Sequence, residues 1–207
     1  MATIVYIDGF NLYYGALKGT PYRWLDLGAL CRRLLPRDDI VAIRYFTARV
    51  IARQGDPTQP QRQETYLRAL RTLPSVEIHY GKFTTHRRRM LLADPPSGGS
   101  RTVEVLHTEE KRSDVNLASH LLLDAFHRAC ETAVVVSNDS DLRVPLIMVQ
   151  RELGMRVGIV NPHPPHRRSR DLEATFFKQL RRSTLAECRL PDVLEDDDGR
   201  FRKPDGW

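Results

Sequence analysis

The sequence predicts an α/β fold: one domain on a parallel sheet flanked by helices, with a loop and hairpin insertion at the rim of the sheet. Three observations predict it. Short apolar runs of strand character alternate with segments of helical periodicity, the pattern of consecutive βαβ units. The most apolar run, Ala133-Val134-Val135-Val136, carries no charge and is rich in β-branched residues, as a strand covered on both faces must be. It stops in Ser137-Asn138-Asp139-Ser140-Asp141 and hands over to helical spacing, which puts those polar residues at the carboxyl edge of the sheet, where open α/β sheets bind ligands.

Length and composition narrow the function classes. At 207 residues the chain can bury one full core and little of a second. No apolar run nears the roughly 20 residues of a membrane span. Residues 1–8 lack a basic start and reach an acid quickly, so they read as a first strand and not a signal peptide. Cys31, Cys130 and Cys188 form no CxxC pair and are expected to be buried, reduced thiols in a cytoplasmic protein. A formal net charge of +6 favours polyanionic partners, and the lack of an apolar run of spanning length leads to the expectation of no membrane partner.

In order, residues 3–7 are a buried strand ending in Asp8; Gly9 permits a tight turn and Asn11 is placed to cap a short helix. Residues 24–35 have helical spacing and stop at Pro36; 40–50 alternate as a second strand; 54–60 are a polar loop; 61–73 are a helix; 76–83 are a third strand. Residues 84–108 form a basic loop and hairpin insertion: the cluster His86-Arg87-Arg88-Arg89, a Pro/Gly/Ser-rich loop, then an alternating arm from 101. Residues 113–126 are the clearest helix, with Ser113 as its expected cap and Asp114 in its positive first turn. After the central strand come a helix at 142–153 stopped by Gly154, a fifth strand at 156–160, a Pro/His/Arg loop, and a last helix at 171–180. The domain is expected to end near residue 182, and 183–207 read as a polar, acidic, loosely held tail with a solvated run at 195–198.

Such a sheet brings Asp8, Asp114, Asp139 and Asp141 to one edge. Taken singly, Asp8 and Asp114 are better explained as turn or first-turn residues, and Asp139 with Asp141 equally well as a turn and a cap; what favours a site is that three separate elements offer acids at one place. Clustered carboxylates raise each other's pKa, and a divalent cation relieves that cost. An all-oxygen, acidic set suits Mg²⁺ or Mn²⁺ better than zinc. Asp124 lies about 15 Å along the helix from Asp114 and is left out; His120 reads as a packing residue. Arg87, Arg88, Arg89 and Arg101 in the insertion, Lys111 and Arg112 before Asp114, and Arg167, Arg168 and Arg170 in the later loop would flank the cleft as a track for nucleic acid. Tyr13 and Tyr14 could stack bases or belong to the core, and Phe10 reads as core.

Three stretches, Tyr6-Ile7-Asp8-Gly9-Phe10-Asn11-Leu12, Lys111-Arg112-Ser113-Asp114-Val115-Asn116-Leu117 and Val136-Ser137-Asn138-Asp139-Ser140-Asp141-Leu142, resemble in order the three motifs of NYN domains, members of the PIN-like nuclease superfamily, in the bacterial branch related to LabA and DUF88 proteins. The resemblance spans roughly residues 1–182. It implies a Rossmann-like (PIN-like) sheet and a Mg²⁺- or Mn²⁺-dependent endoribonuclease, with Asp8, Asp114, Asp139 and Asp141 as metal-binding acids and Asn11 and Ser137 as their supports. A glutamate that many PIN enzymes draw from an early helix has no clear counterpart; Glu64 is the nearest candidate. The expectation is hydrolysis of single-stranded or loop RNA to 5′-phosphate and 3′-hydroxyl ends, with RNA as partner and no nucleotide cofactor. A homodimer stays open. The alternatives are a non-catalytic RNA-binding or scaffold module on the same fold and a phosphatase; Phe10 argues against the latter, since a haloacid-dehalogenase-type site wants its second acid there.

Overall fold

The computed structural model describes residues 1–52 and 55–207, so Gln54 of the expected polar loop lies outside it. The centre is a six-stranded sheet in the order β3-β2-β1-β6-β7-β8, every pair parallel. Its strands are β1 (Ala2–Asp8), β2 (Asp39–Thr47), β3 (Val76–Tyr80), β6 (Thr132–Val136), β7 (Arg156–Asn161) and β8 (Phe176–Gln179). From β1 the chain first winds outward through β2 and β3, then returns to β6 beside β1 and winds the other way. The reversal between β1 and β6 opens a crevice beyond their carboxyl ends.

Strand alternation feeds two cores. On one face Val5, Ile7, Val134, Val136 and Val160 meet α1 (Gly9–Leu12), α2 (Leu27–Leu34) and α3 (Gln59–Arg71). On the other, Ile4, Tyr6, Ala133, Val135, Val157 and Ile159 meet α4 (Ser113–Phe126) and α5 (Arg143–Ile147). Both α1 and α5 run on into π-helical turns, at Tyr13–Leu17 and Met148–Glu152. No helix among the described residues is long and apolar enough to cross a membrane, and all three cysteines are buried free thiols.

Several expectations are corrected. The helix expected at 171–180 is instead loop and then β8: Phe176 and Phe177 point to opposite cores, which a strand allows and one helical face does not. Gly158 opposite leaves space that the Phe176 ring fills. The expected third strand at 76–83 breaks at Gly81, where a side chain would strike Ser113 Oγ at 2.7 Å. Beyond that break the basic cluster is no loop: β4 (Lys82–Leu91) pairs antiparallel with β5 (Thr102–Lys111) as a long ribbon standing apart from the main sheet. The ribbon leaves and rejoins the body at one place, because Lys82 pairs with Lys111.

The tail is not loose. Leu185 of α6 (Arg182–Ala186) and Cys188 and Leu190 beyond it are buried in the first core, and β9 (Val193–Asp196) pairs with β10 (Gly199–Arg202). Trp24, fully buried, donates from Nε1 to Pro191 O at 2.8 Å. Arg68 grips Asp196 at 2.5 and 2.7 Å and lies over the Phe201 ring, so the acidic run is partly spent on anchoring.

Candidate metal centre

Asp8 ends β1 and, as the N-cap of α1, accepts from Asn11 N at 2.9 Å. Asn11, expected to be the cap, instead uses Oδ1 to accept from Asn138 N at 2.9 Å, tying the turn after β1 to the turn after β6. Ser137 joins the two acids: its hydroxyl donates to Asp8 Oδ2 at 3.0 Å and accepts from Asp139 N at 3.1 Å. Asp139 caps the 3₁₀ turn Ser140–Leu142, accepting from Asp141 N at 3.0 Å. Asn138 accepts from Ser169 N and donates to Arg167 O, each at 2.8 Å, which holds the loop after β7 against the site.

Asp114 comes from the first turn of α4. Ser113 is the first helical residue and not the cap; the cap is Arg112, in the left-handed region at φ 86°. Glu110 accepts from both Ser113 N and Ser113 Oγ, at 3.2 and 2.8 Å, and so fixes the helix start.

Carboxylate oxygens of Asp8, Asp114 and Asp139 all lie within 4.8 Å of one another, about the span of two ligands across one divalent cation. Asp141 is exposed and stands outside this trio, near enough to act on Asp114 by charge alone. Burial, opposed by the Asn11 and Ser137 hydrogen bonds and reinforced by Asp114 and Asp139, pushes Asp8 up to about 6. Burial together with the charges of Asp139, Glu110 and Asp141 pushes Asp114 up to about 6. The donors are hard carboxylate oxygens, and the cluster contains no cation of its own. Residues and electrostatics both fit a divalent metal.

The cleft around the trio is lined further by Phe10, Asn11, Tyr14, Phe83, Glu110 and His163. Sequence reasoning missed Glu110 and His163. Phe10 is not core: it is half-buried, edge-on to Phe83 at 5.6 Å, in the cleft wall. His163, held below its ordinary pKa by burial and by Arg167, also borders a groove with Lys18, Arg181 and Arg182. The Arg181-Arg182 pair was the available signal, hidden by the helix assigned to its neighbours. Of the expected track, Arg112 adjoins Asp114; Arg87, Arg88 and Arg89 lie along the ribbon; Lys111 pairs with Glu109; Arg168 lies over the Phe177 ring. Arg167 and Arg170 are in the loop after β7. Glu64 pairs with Arg49 and Arg71 on α3 and is not in the trio.

A sequence model described as NYN domain matches residues 2–178. A curated relative, 6-hydroxy-3-succinoylpyridine 3-monooxygenase HspA of Pseudomonas putida, is 32% identical over an alignment covering 100% of this chain and 75% of its own length. A crystal structure of a protein of unknown function, VPA0982 of Vibrio parahaemolyticus, shares the fold with a TM-score of 0.54 at 16% identity, covering 97% of this chain and 96% of that one.

Proposed function

The chain belongs to the NYN domain family, and from that premise we propose that it is a divalent-metal-dependent endoribonuclease acting on single-stranded or loop RNA. One observation carries the reading: three carboxylates from three elements converge at the switch point of the sheet with their charge uncompensated. Asp8, Asp114 and Asp139 would hold the metal. When bound, Mg²⁺ or Mn²⁺ supplies a more acidic water and positive charge for the scissile phosphate. Ser137 sets the angle between Asp8 and Asp139 through its two hydrogen bonds, and Asn11 locks their two turns together. Lys18, Arg181 and Arg182, in the groove that shares His163 with the cleft, and the arginines farther out on the ribbon offer phosphate contacts. Phe10 and Tyr14 offer ring faces to bases.

The test is cleavage of a labelled single-stranded RNA with Mg²⁺, Mn²⁺ or EDTA, wild type beside Asp139→Asn. Metal-dependent cutting that the substitution abolishes is the expected result. Tight binding without cutting, equal in both proteins, would favour a binding module.

A second reading rests on the curated relative, whose name assigns it ring oxygenation of a substituted pyridine and which aligns along this whole chain. On that reading the protein would put one atom of dioxygen into a nitrogen heterocycle and reduce the other to water with an external reductant. Oxygen uptake with a hydroxypyridine and reduced nicotinamide or flavin, and no cutting of RNA, would select it.

A further inference from the structure

Beside the acid cleft lies a cavity that the proposed hydrolysis does not use. Phe10, Tyr13, Tyr14, Tyr45, Tyr66 and Trp207 wall a cavity of about 80 Å³ that opens to solvent. Polar groups at its rim are turned away from it. Gln63 accepts from Val50 N and donates to Ala48 O; Arg62 is held by Asp56; the Tyr66 hydroxyl donates to Leu25 O at 2.9 Å. Six aromatic rings dominate the lining, with Leu17 and Val50 beside them and Thr47 and Gln59 among the polar residues. Trp207 belongs to that lining. Its indole is fixed by the Arg23 guanidinium at 5.4 Å and the Tyr66 ring at 5.8 Å.

Flat aromatic walls select a flat ring. Phe10 and Tyr14 line both this cavity and the acid cleft, so a ring held here sits one wall away from the trio. Gly9 makes the wall thin: a side chain there would strike the Tyr45 ring and Phe46 O at 2.7 Å.

We propose that this cavity is a nucleobase subsite, holding one base of the strand whose phosphate lies at Asp8, Asp114 and Asp139. The identity of the ring as a base rests on the nuclease reading; the demand for a flat ring rests on the cavity alone. Titration calorimetry of the full chain in EDTA would compare uridine and adenosine 5′-monophosphates with ribose 5-phosphate and pyridine-3-carboxylate. The nucleotides should bind at least about tenfold tighter than ribose 5-phosphate, the worth of one stacked base. Val50→Trp, which fills the cavity from its wall, should remove that preference. Nucleotides binding no better than ribose 5-phosphate, a preference that survives Val50→Trp, or binding of the pyridine alone would each overturn the proposal. Because no metal or cutting is involved, base preference without cleavage would sink the nuclease reading only, and cleavage without base preference would sink the subsite only.

Discussion

Two buried acid sites share the same strand and the same helix, and they are settled in opposite ways. Asp124, near the end of α4, is 7% exposed; Asp8, at the end of β1, is 5% exposed. Asp124 accepts from Arg44 Nε at 2.8 Å and Nη2 at 3.1 Å and from the Tyr6 hydroxyl at 2.8 Å. Its counter-charge comes from the chain itself. Among the described residues Asp8 receives only neutral donors, Asn11 N and Ser137 Oγ, and it faces two further carboxylates. Burial is therefore uninformative by itself; what separates a structural acid from one awaiting a ligand is whether the fold supplies the cation.

The contrast predicts opposite phenotypes for like substitutions. Asp139→Asn should lower metal-dependent cleavage by about 10³-fold, several kcal/mol of lost charge stabilisation, with little change in thermal unfolding; equal activity in both proteins would break the comparison. Asp124→Asn should do the reverse, costing about 3 kcal/mol by leaving Arg44 partly unpaired, or ~10 °C in Tm, while the folded protein keeps its activity.

Asp114→Asn sharpens the contrast through pH. A carboxyl with a raised folded-state pKa stabilises the fold while protonated, and that contribution is lost as pH rises through about 6. Without metal, the variant should be more stable than wild type by ~1 kcal/mol at pH 7.5, discounted for solvent at this half-exposed group, and equal to it at pH 4. Added Mn²⁺ should raise the wild-type Tm at pH 7.5 and leave the variant nearly unmoved. The smallest effect belongs to Glu110→Gln, which can still accept from Ser113 but removes one charge beside Asp114. The Asp114 titration, followed by NMR, should move down by a fraction of a unit.

The parallel sheet and its acid edge were legible because both depend on local pattern: uncharged β-branched runs that each end in small polar residues. Asp8 and Asp139 follow from that pattern and Asp114 from the helical periodicity of 113–126, whereas Asp141, two residues beyond Asp139, is exposed and outside the trio. Glu110 was illegible, since its place depends on the ribbon bending back at Gly81. The helix expected at 171–180 failed because helical periodicity cannot register that Phe176 would find its space opposite Gly158. The tail was misjudged from its acidity, whereas its few apolar residues, Leu185, Leu190 and Phe201, decide its packing.

The ribbon of β4 and β5 has an engineering consequence. It departs and returns through a single cross-strand pair, Lys82 and Lys111, between Gly81 and the left-handed Arg112. Its length is thus uncoupled from both cores: strand pairs can be added or removed at its tip without moving the anchor that sets the start of α4. Changes of length at the tip would alter what reaches the acids while Phe83 and Glu110, at the ribbon's base, keep their places in the cleft wall.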